Sequence, residues 1–257
     1  MTKFLFRPTV LLLLFSALLI PTTGQAIEAS KAQSSPIIDG AATESVWEDA
    51  PWHKMDKHML GEFPEQSDFS GQFKVSWDER GLYILAEITD DVLFDQHADP
   101  LFKYWDDDCL EIFIDEDMSG GNHQFDFNAF AYHVALDNQA VDMGPNNPDG
   151  STQFILLNDH VESVWKRSKE KPHKLIWEVA VSVYDDSFQY LANRASSSIP
   201  LILTENKKMG FMLAYCDNDG SKEREHFLGS QEIAPVNGNK NLGYINASVF
   251  GPLLLVK

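Results

Sequence analysis

Apolar and polar residues alternate along much of the chain in short segments that are separated by turn residues. In residues 72–77 every second side chain is apolar, which is the period of a half-buried strand. The tetrapeptide at 78–81 contains a glycine and precedes a second apolar run at 82–86, so this stretch predicts a β-hairpin. Similar runs of strand length follow at residues 109–114, 123–136, 152–157, 173–183, 210–216 and 243–249.

These segments predict an all-β fold, an antiparallel β-sandwich of immunoglobulin or jelly-roll type. They are rich in β-branched and aromatic residues and are separated by Gly, Asn, Asp and Pro. A helical pattern is confined to residues 41–50 and 184–195, so we expect only short helical insertions. We predict a polar linker at residues 27–35, without core residues, and a single domain over residues 36–257.

The N-terminal residues 1–26 have the pattern of a secretory signal. Lys3 and Arg7 precede an apolar run at 10–20, and residues 24–26 (GQA) place small residues where a signal peptidase cleaves. The run has 11 residues, far fewer than the ~20 that span a bilayer. We therefore expect a secreted or periplasmic protein that is cleaved after residue 26 and has no membrane anchor.

Composition narrows the choice of partners. The 257 residues include 39 acidic and 20 basic side chains, a formal charge of -19, which disfavours nucleic acid and anionic membranes. An aromatic content of 12% excludes a disordered chain. The two cysteines, Cys109 and Cys216, are too few for a disulfide scaffold; they form either one disulfide or two buried thiols. We expect a monomer.

Four segments follow one another in a specific order. They are Ile38-Asp39-Gly40 with Glu44, Trp47 and residues 50–52; residues 75–78 with Leu82-Tyr83 and residues 89–91; residues 105–115 (WDDDCLEIFID); and residues 177–181 (WEVAV) with Gly210 and residues 217–220 (DNDG). Together they extend over nearly all of residues 36–250. In this order and spacing the chain resembles carbohydrate-binding module family 9, the reducing-end sugar-binding modules.

The resemblance implies a sugar-binding β-sandwich that contains structural calcium. Trp105 matches one of two tryptophans that sandwich a terminal sugar, and Glu111 matches a carboxylate that binds its hydroxyl groups. The chain departs from the family at two places. Residues 124–134 lack the arginine that contacts the sugar, and the second tryptophan is missing near the C-terminus, where His226 and Phe227 lie instead.

The residues themselves allow a sugar site around Trp105. A large aromatic side chain in a polar loop stacks on the apolar face of a pyranose, while nearby carboxylates accept hydrogen bonds from hydroxyl groups. The alternative is that Trp105 covers one end of the sandwich. We expect Trp105 and Glu111 to bind sugar, with Asp108 or Asn128 adding hydrogen bonds and Phe227 as the second aromatic. The tryptophans that we assign to the core are Trp47, Trp52, Trp77 and Trp177.

Strand alternation separates the two acidic residues of this segment. Glu111 should share a sheet face with Cys109 and Phe113, whereas Asp108 should point to the opposite face. A carboxylate between two apolar neighbours is costly unless it is paired or faces a ligand. Glu111 is therefore expected either to form an internal ion pair or to line a ligand groove, and the groove is favoured by the resemblance.

The motif at residues 217–220 (DNDG) offers oxygen ligands for calcium. Asp217 and Asp219 are the predicted ligands, because hard cations prefer carboxylate and carbonyl oxygens. Residues 106–108 and 90–91 are two further acidic positions. An ordinary β-turn is the alternative for the motif.

Three other functions remain open at this stage, and the first is a purely structural or protein-binding role. Paired acids could hydrolyse glycosidic bonds, although metalloprotease and serine-hydrolase motifs are absent from the sequence. Haem-binding sandwiches use Met and His ligands, and the residues available for that role are Met143, Met209, Met212, His123 and His133. We expect a non-catalytic protein that binds a neutral glycan and takes part in polysaccharide catabolism.

Overall fold

The computed structural model describes residues 26–191 and 198–257, which are almost entirely β. Their strands are β1 (Ile27–Lys31), β2 (His53–Met55), β3 (Lys57–Gly61), β4 (Phe69–Asp78), β5 (Gly81–Asp90), β6 (Cys109–Asp115), β7 (Phe130–Ala135), β8 (Ala140–Gly144), β9 (Gln153–Leu156), β10 (Val161–Arg167), β11 (Lys174–Val181), β12 (Lys208–Asp217), β13 (His226–Gly229) and β14 (Gly251–Val256). The helical elements are α1 (Val46–Asp49) and the 3₁₀ turns Tyr104–Asp106 and Ala247–Val249.

The strands form one curled sheet that folds back on itself as a sandwich. The main path runs β10-β11-β5-β4-β1-β14-β12-β6-β7-β8-β9, while β13 pairs with β12 and β3, and β2 pairs with β4. All pairs are antiparallel among the described strands, except that β1 lies parallel to both β4 and β14. The predicted all-β sandwich with short helical insertions is confirmed.

The core lies between the two halves of this curled sheet. The predicted hairpin is confirmed as β4 and β5, with Phe73 and Trp77 directed into the core. From the other half, Leu110 and Ile112 of β6 point into the same cluster. Such alternation of apolar residues places one side of each strand inside the sandwich, and burial of that side stabilises the fold.

Three of the four tryptophans assigned to the core are buried. Trp47, Trp77 and Trp177 are at most 3% exposed. The assignment of Trp52 is wrong: its side chain is 42% exposed, and the Lys74 ammonium lies 4.8 Å from the ring centroid. The outer face of β4 carries Lys74, and the exposed Trp52 ring covers this lysine instead of entering the core.

The segment predicted as a linker contributes a strand. Residues 27–31 form β1, in which Ile27 is 7% and Ala29 is 0% exposed. This strand lies between β4 and β14 and covers the edge that each would otherwise expose. The prediction failed because residues 27–31 (IEASK) contain no continuous apolar run, whereas the position of this strand in the sheet depends on pairing with distant strands.

Two other element predictions need correction. Residues 243–249 are not a strand; they contain the 3₁₀ turn, and β14 begins at Gly251. The described part of residues 184–195 contains no helix. Most of the predicted signal segment, residues 1–25, lies outside the described residues. Within the part of the chain that the structure describes, no helix is long and apolar enough to cross a membrane.

Candidate functional site

A cavity of about 280 Å³ opens on the outer face of the β6–β12 half of the sandwich. It is lined by Tyr104, Trp105, Glu111, His133, Met143, Arg224, Asn241 and Tyr244. The alternation of β6 explains why Glu111 faces this cavity. Cys109 and Phe113 pack in an outer cluster with it, whereas Leu110 and Ile112 enter the core, so the predicted division of the faces is confirmed.

Glu111 forms the floor of this cavity and is 2% exposed. Its Oε1 atom accepts hydrogen bonds from Arg224 Nη1 at 2.9 Å and from the Cys216 thiol at 2.9 Å, and it lies 3.0 Å from His133 Nε2. Burial alone would raise the pKa of Glu111, but His133 and Arg224 hold that pKa at about 2. All three contacts fall on Oε1, which leaves Oε2 for a ligand.

Trp105 forms one wall and is half-buried. Its ring meets the Tyr104 ring edge-on with centroids 5.1 Å apart, and it also packs on Phe154 at 5.8 Å. The 3₁₀ turn begins after Lys103, whose φ of 51° turns the backbone sharply into the left-handed region. Because this turn is packed from behind by aromatic rings, Trp105 is held at the cavity rather than free in solvent.

The loop between β12 and β13 is tied to the Trp105 turn by Asn218. This residue is fully buried; its side-chain amide donates to Asp106 O at 2.6 Å, and its Oδ1 accepts from Ser221 N at 2.7 Å. Arg224 follows in the same loop and stacks over the Phe227 ring at 4.3 Å. These contacts fix Arg224 and Trp105 relative to each other.

A second cavity of about 370 Å³ adjoins the first. The two share Trp105, Arg224 and Asn241 as lining residues. Its other lining residues are Leu60, Lys103, Asp106 and Glu223. A ligand longer than one ring could therefore extend from the first cavity past the shared residues into the second.

The structure brings two of the five predicted sugar-binding residues, Trp105 and Glu111, to the same cavity. Phe227 is 1% exposed and lies beneath Arg224, so it supports the guanidinium instead of forming a wall. The Asn128 amide donates to Gly120 O at 2.8 Å and lines neither cavity. These two placements correct the prediction.

Asp108 is also absent from both cavities. It is fully buried, and its carboxylate accepts from Phe94 N at 2.6 Å and Asn218 N at 2.8 Å. The reason is the strand alternation noted above, which points Asp108 to the side of β6 opposite Glu111. Its two backbone hydrogen bonds join the loop before β6 to the loop after β12.

Sequence reasoning did not assign six of the cavity residues to the sugar site: Tyr104, His133, Met143, Arg224, Asn241 and Tyr244. His133 lies directly opposite Glu111 in the β6–β7 pairing, on the strand that lacks an arginine, and Arg224 brings a guanidinium from a different loop. Tyr244 lies in a loop rich in Asn and Gly, so it is, like Trp105, a large aromatic side chain in a polar loop. The partners of Glu111 come from distant segments and gave no local signal.

A buried acidic group lies outside the lining of both cavities. Carboxylate oxygens of Asp90, Asp108 and Asp217 lie within 4.8 Å of one another, and all three residues are buried. Burial, together with the charge of Asp90, raises the pKa of Asp108 to about 9 and that of Asp217 to about 8. Neither carboxylate oxygen of Asp217 has a hydrogen-bond partner, and Oδ1 of Asp90 has none either.

Asp219, the other predicted calcium ligand, belongs to a different group. It is exposed and lies within 4.8 Å of Asp68 and Asp91, whereas Asp217 belongs to the buried group. Burial and the charge of Asp68 raise the pKa of Asp219 to about 6. The motif at 217–220 therefore directs its two aspartates to two neighbouring acidic positions.

The residues named for haem ligation are dispersed. Met209 packs in the main core and Met212 in the outer cluster, on opposite sides of β12. His123 Nε2 donates to Gly243 O at 2.7 Å, away from the cavity lining, whereas Met143 and His133 line the cavity. Cys109 and Cys216 are free thiols.

The cavity is poorly suited to acid–base hydrolysis. Glu111 alone is acidic among the described residues that line it, whereas glycoside hydrolysis uses a pair of carboxyl groups. One of that pair needs a raised pKa in order to donate a proton, but the pKa of Glu111 is held at about 2. The arrangement can hold a polar ligand and offers no proton donor of this kind.

Comparison with known proteins points to one family. Residues 38–257 match the family model described as carbohydrate family 9 binding domain-like. Endo-1,4-beta-xylanase A of Thermotoga neapolitana is 26% identical over 152 residues, which are 58% of this chain and 14% of that protein. Exoglucanase XynX of Acetivibrio thermocellus is 27% identical over 123 residues, 48% of this chain and 10% of that protein. The match therefore covers a small part of each enzyme.

Solved structures agree on the fold. A carbohydrate-binding module of family 9 from Caldicellulosiruptor kristjanssonii in complex with cellotriose has a TM-score of 0.61 at 21% identity, covering 90% of this chain and 94% of that one. The glucose complex from the same organism has a TM-score of 0.60 at 20% identity, covering 89% and 95%.

Proposed function

The chain belongs to the carbohydrate family 9 binding domain-like family, and on that premise we propose that its first cavity binds the terminal ring of a neutral glycan, at the reducing end, without catalysis. The observation that carries this proposal is the shared position of Trp105 and Glu111 in one cavity with Tyr244. Aromatic walls suit the apolar faces of a pyranose, and Oε2 of Glu111 is available to its hydroxyl groups.

The charge and size of the cavity support a small neutral ligand. Glu111 and Arg224 form an ion pair within it, so their charges cancel and neither attracts a charged sugar. Its volume of about 280 Å³ is close to the lower end, about 300 Å³, of small-molecule pockets. The adjoining cavity gives a second ring of a disaccharide a place beyond Trp105.

Calorimetric titration with glucose, cellobiose, xylose and xylobiose, each beside its reduced alditol, tests this function. We expect binding of at least one sugar and no binding of its alditol, because reduction opens the terminal ring. Trp105→Ala should weaken binding by at least about 30-fold, as expected for removal of a central aromatic contact. Trp52→Ala is the matched control, since Trp52 is an exposed tryptophan away from both cavities.

Two results would contradict the proposal. Equal affinity for a sugar and its alditol would remove reducing-end recognition while leaving sugar binding. Unchanged affinity of the Trp105 variant would place the sugar site elsewhere on the protein. Tyr244→Ala gives an independent check on the same cavity, because Tyr244 comes from a different loop.

We also propose that Asp90, Asp108 and Asp217 hold a structural calcium ion. The unpartnered oxygens of buried Asp217 and Asp90 fit a cation, because a buried carboxylate without a partner is costly. The three residues come from β5, β12 and the loop before β6, so an ion there would join them. Asp217→Asn should remove the stabilisation that calcium gives, as measured by melting in calcium and in EDTA.

We infer that the protein is exported and serves polysaccharide catabolism by capturing glycan ends. The signal pattern at residues 1–26 supports export, and β1 begins at Ile27, so the expected cleavage leaves the first strand complete. The mass of protein recovered from outside the cytoplasm tests cleavage after residue 26. Retention of the N-terminal residues in that protein would contradict it.

A further inference from the structure

Two cysteines lie beneath the floor of the first cavity. Cys109 of β6 is directly opposite Cys216 of β12, and Glu111 follows on the same face two residues later. One donor atom from each of the three residues lies within 4.8 Å of the others. Both cysteines are fully buried, and Glu111 is 2% exposed. Two thiols and a carboxylate therefore converge where the sheet meets the cavity.

We propose that Cys109, Cys216 and Glu111 form a binding site for a thiophilic divalent cation of the zinc class. Such ions bind Cys sulfur and carboxylate oxygen in tetrahedral geometry at about 2.0–2.3 Å, so their ligand atoms lie about 3.5–3.8 Å apart. The three donor atoms lie within 4.8 Å of one another, so small side-chain shifts bring them to that spacing. The Cys216 Sγ–Glu111 Oε1 distance of 2.9 Å has to widen slightly when the ion enters between them.

The local charge balance accommodates this ion. Each thiol loses its proton to solvent when its sulfur binds the metal. Two thiolates and one carboxylate then carry three negative charges, which a divalent ion and Arg224 together neutralise. Arg224 is well placed for this role, because its Nη1 lies 2.8 Å from Cys216 Sγ and 2.9 Å from Glu111 Oε1. It would act as an outer partner of the metal ligands.

A fourth ligand position lies on the cavity side. The fourth ligand would be either His133, whose Nε2 is 3.0 Å from Glu111 Oε1, or a water molecule from the cavity. The donor set also distinguishes this site from the calcium position, which has oxygen donors alone. Thiolates select soft and borderline ions, whereas carboxylates select calcium. The cysteine site should therefore prefer ions of the zinc class, and the aspartate site should prefer calcium.

Cadmium provides a direct optical test, because cadmium–thiolate bonds absorb in the ultraviolet. The full-length mature protein, kept reduced by a phosphine and saturated with calcium, is titrated with Cd²⁺ and, in competition, with Zn²⁺. We expect one Cd²⁺ per chain with the thiolate absorption, displaced by Zn²⁺. The band should disappear in Cys109→Ser and in Cys216→Ser. Asp219→Asn is the control and should keep it, since Asp219 belongs to another acidic group.

Melting curves establish that each variant is folded, and Cys→Ala replaces any serine variant that is not. Absence of the band in reduced wild-type protein, whose two thiols react with maleimide after denaturation, would overturn the proposal. A band that persists in either cysteine variant would do the same. Exported protein that lacks both reactive thiols would show that Cys109 and Cys216 form a disulfide instead, which also overturns it. These readouts need no sugar and are independent of glycan binding.

Discussion

Glu111 illustrates how a single side chain depends on distant partners. It lies on β6, but its contacts come from Arg224 in the loop after β12, from Cys216 on β12 and from His133 on β7. A buried carboxylate in such a position requires its partners, since the cost of leaving either charge unpaired exceeds the gain from most single contacts. The residue therefore has a structural role beside its proposed role in sugar binding.

We predict that Glu111→Gln destabilises the protein by about 3–5 kcal/mol, because it leaves the buried Arg224 guanidinium without its counter-charge. The measurement is urea unfolding of the variant and the wild type. Glu87→Gln is the control: Glu87 pairs with the more exposed Lys174 at 2.8 Å, and its loss should cost less than about 1 kcal/mol. Equal losses of unfolding free energy in the two variants would show that the buried Glu111–Arg224 pair stabilises the fold no more than the Glu87–Lys174 pair does.

At the scale of elements, β1 joins the two halves of the sheet. It pairs in register with β14 through four positions from Ile27 to Ser30 and with β4 at Ser30 and Lys31. Without it, β4 and β14 would each expose an edge, and the core would lose the buried side chains of Ile27 and Ala29. Five residues thus hold together strands that are far apart in the sequence.

Removal of residues 27–32 should therefore lower stability by several kcal/mol, of which burial of Ile27 accounts for about 1.5–3 kcal/mol. The comparison is between chains that begin at residue 27 and at residue 33, followed by thermal unfolding and size-exclusion chromatography. We expect a lower melting temperature and self-association through the exposed edges of the shorter chain. Identical melting of both chains would show that β1 is dispensable.

At the scale of the whole molecule, a chain with a formal charge of -19 buries three of its acidic residues, Asp90, Asp108 and Asp217, beside one another. The pKa of Asp108 is raised to about 9 and that of Asp217 to about 8, first by burial and then by Asp90. In the absence of a cation the folded state therefore holds protons on these carboxyl groups that the unfolded state has released above pH about 4.

Without calcium, the contribution of these two carboxyl groups to the free energy of unfolding should accordingly be greatest below pH about 4. It should fall as the pH rises from there through about 8–9, by up to ~1.4 kcal/mol per pH unit for each proton. Calcium binds the ionised carboxylates and should oppose this loss. The measurement is the free energy of unfolding at pH 5 and pH 8, in EDTA and in calcium. A pH dependence that calcium does not alter would contradict the calcium site.

The sequence by itself determined the all-β class, the β4–β5 hairpin, the family resemblance and the opposite directions of Glu111 and Asp108 on β6. These features depend on local alternation and turn residues, which operate over a few neighbouring positions. The tertiary structure decided what no local pattern contains. It placed Arg224, His133 and Tyr244 beside Trp105 and Glu111, buried Phe227 under Arg224, made a strand of residues 27–31, and directed Asp108 into the acidic group. Each of these outcomes depends on strand pairing between segments far apart in the chain, and pairing at that distance is selected by the packing of the whole sandwich.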